Sequence, residues 1–139
     1  MERLMITGGS PLRGEIKVHG AKNSSLPLLA AAVLCRGETV LHNCPELSDV
    51  GAACEILSYL GCKVRRQGRS VVIDAADIRS HSVPEPLMRE MRSSIVFLGA
   101  IAARAGQADL SFPGGCELGP RPIDLHLAGL KKLGLINEE

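Results

Sequence analysis

The most chemically suggestive stretch of the sequence is a loop over residues 112–122, FPGGCELGPRP, which holds three glycines and three prolines among eleven residues. Such a composition gives a backbone shaped by turns rather than a helix or a strand, and loops on a rigid scaffold often carry function. Cys116 lies in the middle of this loop, and Arg121 follows at the start of a predicted helix. An arginine and a helix N-terminus both lower the pKa of a thiol, so the pattern predicts a reactive cysteine. A surface turn with an incidental cysteine is the alternative.

A second candidate site is the segment GAKNSS over residues 20–25. Its glycine frees the backbone, Lys22 supplies a positive charge, and Asn23 and Ser24 stand at a predicted helix start, where unpaired backbone N–H groups attract anions. The segment therefore suits a phosphate or a carboxylate, although a lysine before an ordinary capped helix would look the same. Neither glycine-rich stretch matches GxGxxG or GxxxxGKS/T, which excludes dinucleotide-binding and P-loop sites of those types.

Two further residues, Arg92 and Asp124, stand near the starts of apolar stretches. Arg92 borders the apolar run 95–103, and an internal repeat with an offset of 69 residues aligns it with Asn23. Both side chains are therefore predicted to project from the same end of two similar units. Asp124 is either a first-turn residue favoured by the helix dipole or a ligand contact, and its spacing leaves both interpretations open.

The internal repeat defines the predicted organisation. Residues of about 14–76 form a first unit and residues of about 80–139 a second, with four extra residues inside the glycine-rich loop. The first unit is predicted to run strand, helix, strand, helix, strand, strand, and the second lacks its closing strand pair. The fold class is therefore α/β (α+β) with an incomplete second unit, and the whole of 1–139 is predicted to be part of one domain.

In the first unit, the predicted strands are 15–18, 39–42, 63–66 and 70–73. Its first helix is capped by Asn23 or Ser24, holds Pro27 in its first turn and reaches residue 34, and its second helix is capped by Ser48 and ended by Gly61. In the second unit, the predicted elements are a helix at 86–103, a strand at 108–112 and a helix at 122–133.

Composition narrows the function classes. The chain of 139 residues has a formal net charge of +1, with 45% hydrophobic and only 2% aromatic residues. This balance argues against nucleic-acid binding, which needs basic surfaces or aromatic stacking platforms. The longest apolar runs, 26–35 and 95–103, are about half the ~20 residues that cross a bilayer, and no apolar segment of a signal peptide follows the N-terminus. We therefore expect a cytoplasmic protein without a membrane partner.

The cysteines predict no metal site. There are five, without a CxxC pair, and their spacing does not fit structural zinc. Outside the glycine-rich loop, Cys35, Cys54 and Cys62 are interpreted as small buried apolar residues.

The motifs GAKN at 20–23, MRSSI at 91–95 and PGGCELGPRPIDLH at 113–126 resemble the enolpyruvyl transferase family, and within it the UDP-N-acetylglucosamine 1-carboxyvinyltransferases. The similarity runs from near the N-terminus to about Gly134. The resemblance implies repeated units of an inside-out α/β barrel and no cofactor. It also implies transfer of the enolpyruvyl group from phosphoenolpyruvate to the 3-hydroxyl of UDP-N-acetylglucosamine with release of phosphate, the first committed step of peptidoglycan synthesis.

The resemblance also implies residue roles. Cys116 matches the catalytic cysteine, which protonates the methylene carbon of phosphoenolpyruvate, can form a covalent adduct with it and is alkylated by fosfomycin. Lys22 and Asn23 match the phosphoenolpyruvate-binding pair. The residues that match the UDP-sugar contacts are Arg92, Arg121, Pro122, Ile123, Asp124 and Leu125.

The length of the chain departs from the family pattern. Family members are several-fold longer and place the active site between two domains, and the aspartate that acts as general base is implied to lie beyond the family's equivalent of residue 139. We therefore expect about half a site, inactive on its own. Two alternatives stay open: a non-catalytic module that binds the UDP-sugar, and a fragment that self-associates through exposed apolar faces.

Overall fold

The computed structural model describes residues 3–91, 93–111 and 122–135, and these residues form five helices and five strands. The elements in chain order are α1 (Lys22–Ala32), β1 (Glu38–Leu41), α2 (Ser48–Tyr59), β2 (Lys63–Gln67), β3 (Ser70–Asp74), β4 (Ser82–Val83), α3 (Glu85–Glu90), α4 (Val96–Ala105), β5 (Asp109–Leu110) and α5 (Asp124–Lys132). The predicted mixture of helices and strands is confirmed.

Strands β1, β2 and β3 form an antiparallel sheet in the order β1-β3-β2. The central strand β3 has a buried apolar centre, Val71–Ile73, which explains its β-branched residues. A two-residue turn joins β2 to β3, and Gly68 in that turn has φ of +56°, the left-handed conformation that such hairpins favour. The short strands β4 and β5 pair separately and in parallel.

One apolar cluster joins the helices. Helix α1 packs against both α2 and α4, and the cluster includes the fully buried Leu29 on α1, Leu57 on α2 and Phe97 on α4. Because such interiors are close-packed, the cluster fixes the start of α1 relative to the start of α2. No helix in the described parts of the chain is long and apolar enough to cross a membrane.

Two pairs of residues behave alike in the two predicted repeat units. Ser25 and Ser94 are the buried polar side chains among the described residues, and each donates its hydroxyl hydrogen over 2.9 Å to a carbonyl upstream, that of Ala21 or of Met88. Gly61 and Gly134 have φ of +108° and +94° beyond the ends of α2 and α5. These likenesses support the two-unit division, which we propose on this basis.

The predicted strand at 15–18 is wrong. Residues 3–20 form neither a helix nor a strand, and Ile16 and Val18 are 90% and 77% exposed. The alternation of apolar residues is real, but a strand needs a partner for its backbone groups. No strand among the described residues pairs with this segment.

The predicted helix at 86–103 is also wrong as a single element. Met91 is buried with an extended backbone, φ −129° and ψ 120°, and it separates α3 from α4. The hydroxyl of Ser94 satisfies the Met88 carbonyl at this break. The helix is therefore interrupted at Met91, where an extended backbone accompanies burial of the side chain.

The start of α1 differs from the prediction as well. The N-cap is Ala21, two or three residues before the predicted caps, and Pro27 consequently lies inside the helix rather than in its first turn. Two hydrogen bonds from Ser25, one from its backbone N–H and one from its hydroxyl, close this earlier turn onto the Ala21 carbonyl. Leu47 likewise takes the N-cap position that was predicted for Ser48.

Candidate functional site

The start of α1 is built to face an anion. Lys22 is its first residue, no side chain caps the helix, and its first turn holds no acidic residue. The first backbone N–H groups of a helix have no partner inside it, so those of Lys22, Asn23 and Ser24 are available as donors. A positive charge at a helix N-terminus is itself unfavourable, by about 0.3–1 kcal/mol. An anion bound there would be attracted both by the backbone donors and by the ammonium group.

Asp49 lies beside Lys22. It belongs to the first turn of α2, and its Oδ2 forms an ion pair with the Lys22 Nζ. The Lys22 side chain is 46% exposed and that of Asp49 is 21% exposed. An ammonium group has three donors, so one carboxylate oxygen leaves part of Lys22 free to meet a ligand.

The chain enters α1 through a close contact at Gly20. A Cβ atom at Gly20 would lie 1.9 Å from the Asn43 carbonyl oxygen. Asn43 has a positive φ of 57°, and its side-chain oxygen accepts a hydrogen bond from the Arg69 guanidinium. The Arg69 carbonyl in turn accepts the Cys44 N–H at 2.7 Å. The β2–β3 hairpin thus holds the segment against which α1 begins.

A second arginine of the same hairpin holds the approach to α2. Arg66 donates from its two terminal nitrogens to the Cys44 and Pro45 carbonyls, each over 3.2 Å. Both carbonyls lie just before α2, so Arg66 and Arg69 support the two helix starts that present Lys22 and Asp49.

The structure describes only some of the other predicted site residues. Pro122–Leu125 lie at the start of α5, where Leu125 is 81% exposed and the helix buries none of its residues. No hydrogen bond or ion pair within the described parts of the chain joins them to Lys22 or Asn23. Arg92, Cys116 and Arg121 lie outside the described residues.

Sequence reasoning missed Asp49, Arg66 and Arg69. Asp49 does follow a predicted helix start, but only the packing of α1 on α2 brings it to Lys22. The two arginines stand in an ordinary-looking charged hairpin, and no local signal reveals that they hold the loop before α2. Among the described residues, no cluster of three or more His, Cys, Asp or Glu could hold a metal ion.

The cysteines differ in accessibility. Cys44 and Cys62 are buried and Cys54 is partly buried, but Cys35 is exposed, so its predicted burial is wrong. Cys35 follows the end of α1, beyond the buried Ala32 and Val33. Burial, aided by the nearby Asp74 carboxylate, raises the pKa of the Cys62 thiol to about 11. Burial, with Cys44 close by, also raises the pKa of Cys54.

Alkylation should follow this order of accessibility and pKa. At pH 8 to 9 we expect Cys62 to react with iodoacetamide at least tenfold more slowly than Cys35, because burial blocks the reagent and the thiolate is scarce below pH 11. Cys116, on the sequence argument, should react fastest. Peptide mass spectrometry over a time course gives each rate. Equal rates for Cys35 and Cys62 in the native protein, with both accelerated in urea, would contradict the burial of Cys62.

Comparison with known proteins gives the family and the fold. The family model described as EPSP synthase (3-phosphoshikimate 1-carboxyvinyltransferase) matches residues 6–137. The enolpyruvyl transferase NikO from Streptomyces tendae has a similar structure, with a TM-score of 0.75 and 25% sequence identity over 91% of this chain and 28% of that one.

Curated relatives give a more specific likeness. UDP-N-acetylglucosamine 1-carboxyvinyltransferase 2 of Caldanaerobacter subterraneus subsp. tengcongensis is 56% identical over 100% of this chain and 33% of its own length. UDP-N-acetylglucosamine 1-carboxyvinyltransferase 1 of Symbiobacterium thermophilum is 48% identical over 99% of this chain and 32% of its own length. The chain thus spans about a third of the length of these relatives. Its fold is that of an enolpyruvyl transferase, and it belongs to the family of EPSP synthase (3-phosphoshikimate 1-carboxyvinyltransferase).

Proposed function

We propose that these 139 residues contribute the N-terminal part of an enzyme that transfers the enolpyruvyl group of phosphoenolpyruvate to the 3-hydroxyl of UDP-N-acetylglucosamine and releases phosphate. The observation that carries the proposal is Lys22 at the uncapped start of α1. The names of the curated relatives support the choice of this reaction within the family. We place the reaction in the cytoplasm, because both substrates are charged phosphorylated metabolites that do not cross membranes unaided.

Different residues of the chain bind the two substrates. Lys22 and Asn23 bind the phosphoenolpyruvate anion through the ammonium group and the backbone donors of α1. Cys116 protonates the methylene carbon while the sugar hydroxyl adds to the substituted carbon and gives its proton to a base outside these 139 residues. Loss of a proton from the new methyl group, with cleavage of the bond between the substituted carbon and the phosphate oxygen, then restores the double bond and releases phosphate. The UDP-sugar is bound by the two arginines, Arg92 and Arg121, and by residues 122–125 at the exposed start of α5.

The chain on its own supplies part of this site. A surface with unpartnered apolar groups is typical of a segment that packs against further polypeptide, and six large apolar side chains among residues 3–20 are 77–97% exposed. They are Leu4, Met5, Ile6, Leu12, Ile16 and Val18. The same surface favours self-association as a second property of the isolated chain, which light scattering detects.

Turnover tests the proposal directly. A hybrid enzyme carries residues 1–139 of this chain in place of the matching third of the Caldanaerobacter relative. We expect the hybrid to release phosphate only when both phosphoenolpyruvate and UDP-N-acetylglucosamine are present, and the isolated chain to show no sustained release. Mass spectrometry of the product identifies the enolpyruvyl sugar.

The controls separate the alternatives. The unmodified relative sets the full rate, and the hybrid with Cys116→Ala should lose phosphate release. A folded hybrid without turnover would contradict the proposed function, whereas sustained turnover by the isolated chain would contradict its dependence on further polypeptide. Binding of the UDP-sugar by a hybrid that lacks turnover would favour a binding module.

A further inference from the structure

Asp49 has no role in the reaction described so far, yet it touches the residue on which the proposed function depends. Its side chain is largely buried, with 21% exposure, and its ion-pair partner is Lys22. The two residues lie in the first turns of different helices and are distant in sequence. The contact is therefore made by the tertiary fold and not by local sequence.

The fold holds Asp49 firmly at this place. Its neighbour Val50 is fully buried in the core, and the α2 helix continues through the buried Ala53 and Leu57. Helix α1 packs on α2 through the same core. In front of Asp49, Arg66 holds the Cys44 and Pro45 carbonyls. The carboxylate is thus attached to a fixed support, whereas Lys22 has a long and flexible stem.

The charges favour a restraining contact. Asp49 is stabilised by the positive end of α2, but Lys22 is opposed by the positive end of α1. Without a carboxylate beside it, the Lys22 ammonium would be driven away from the α1 start into solvent. With Asp49 present, the ion pair holds the ammonium at the start of α2, which packs on α1, and the ammonium keeps hydrogens for a second acceptor.

We propose that Asp49 is a positioning residue, which holds the Lys22 ammonium at the start of α1 so that it is in place for the phosphate or carboxylate of phosphoenolpyruvate. The proposal rests on the proposed function for the identity of the anion. The ion pair itself does not depend on it. Holding the lysine in advance removes part of the loss of side-chain freedom that binding would otherwise require.

The first experiment examines the contact in the protein without any reaction. Brief acylation with an N-hydroxysuccinimide ester, followed by peptide mass spectrometry, gives the reaction rate of each lysine. We expect Asp49→Asn to accelerate acylation of Lys22 at least threefold and to leave Lys63, which is 82% exposed, unchanged as an internal reference. Equal Lys22 rates in the two proteins would overturn the proposal.

The second experiment measures the consequence in the hybrid enzyme. Asp49→Asn should raise the KM for phosphoenolpyruvate about tenfold while kcat falls less than threefold, and Asp49→Glu should restore KM to within about threefold. Glu38→Gln is the matched control, because Glu38 is also half of a surface pair, with Arg65, and lies outside the site. A purely structural role would lower the melting temperature and leave KM unchanged.

The outcomes distinguish the two proposals. Faster acylation of Lys22 with an unchanged KM would show a contact without a positioning role and would overturn the inference about Asp49. A folded hybrid that is inactive with Asp49 intact would contradict the proposed function, and the acylation rates would then decide whether Asp49 restrains Lys22.

Discussion

Replacement of Lys22 by alanine in the hybrid enzyme is expected to lower kcat/KM for phosphoenolpyruvate by about 100-fold. This corresponds to about 2.7 kcal/mol, within the range of about 1.5–3 kcal/mol for hydrogen bonds to charged groups. The reason is local: α1 has no acidic first-turn residue and no capping side chain, so its first backbone N–H groups are left for an anion, and Lys22 adds a positive charge at the first position of the helix. Phosphate release at several phosphoenolpyruvate concentrations gives the ratio.

Two further variants test whether the loss of kcat/KM is specific to the Lys22 ammonium. Lys22→Arg keeps the charge but replaces a compact ammonium with a planar fork, so we expect an intermediate loss of about tenfold. Lys63→Ala removes a lysine that is 82% exposed and forms a long surface pair with Asp74 over 3.9 Å, and it should change kcat/KM less than twofold. A loss below threefold for Lys22→Ala, in a hybrid with an unchanged melting temperature, would show that Lys22 does not contact the substrate.

The elements that the sequence predicts correctly are those whose cues are local. The helix ended by Gly61 and the hairpin around Gly68 form as predicted, because in each the glycine stands within a few residues of the apolar pattern that it ends. Both glycines have a positive φ in the structure. The buried strand β3 likewise consists of β-branched residues between turn signals.

The failed predictions depend on contacts distant in sequence. A strand at 15–18 requires a partner that the described residues do not supply. The break at Met91 arises from burial of that side chain and from the Ser94 hydroxyl, neither of which interrupts the apolar pattern of the sequence.

The candidate site shows the same division. Lys22 and Asn23 can be predicted because the charge, the amide and the helix start are adjacent, although the predicted caps lie two or three residues after the observed N-cap. Asp49 was missed because its relevance depends on the packing of two helices. The roles of Cys116 and of the UDP-sugar residues rest on the resemblance and remain predictions.

Replacement of Gly20 by alanine should have the largest effect on stability, a loss of about 3 kcal/mol in the free energy of unfolding, at the upper end of the usual cost of overpacking. The added Cβ would lie 1.9 Å from the Asn43 carbonyl oxygen, a backbone atom. Arg69 holds this segment twice, through the Asn43 side chain and the Cys44 N–H, so the loop cannot easily retreat. The start of α1 must move instead, which would also separate Lys22 from Asp49.

The same glycine-to-alanine substitution at Gly99 should change the free energy of unfolding in the opposite direction. Gly99 lies within α4, and a Cβ there would meet nothing within 4 Å. Gly99→Ala should therefore raise stability by about 0.8–1 kcal/mol through helix propensity alone. Urea denaturation followed by circular dichroism measures both variants against the parent chain. Because the chemical change is identical, a difference of about 4 kcal/mol between them can come only from the surroundings of the two glycines. A Gly20→Ala protein as stable as the parent would show that α1 does not begin against the Asn43 carbonyl, and the placement of Lys22 beside Asp49 would then lose its structural support.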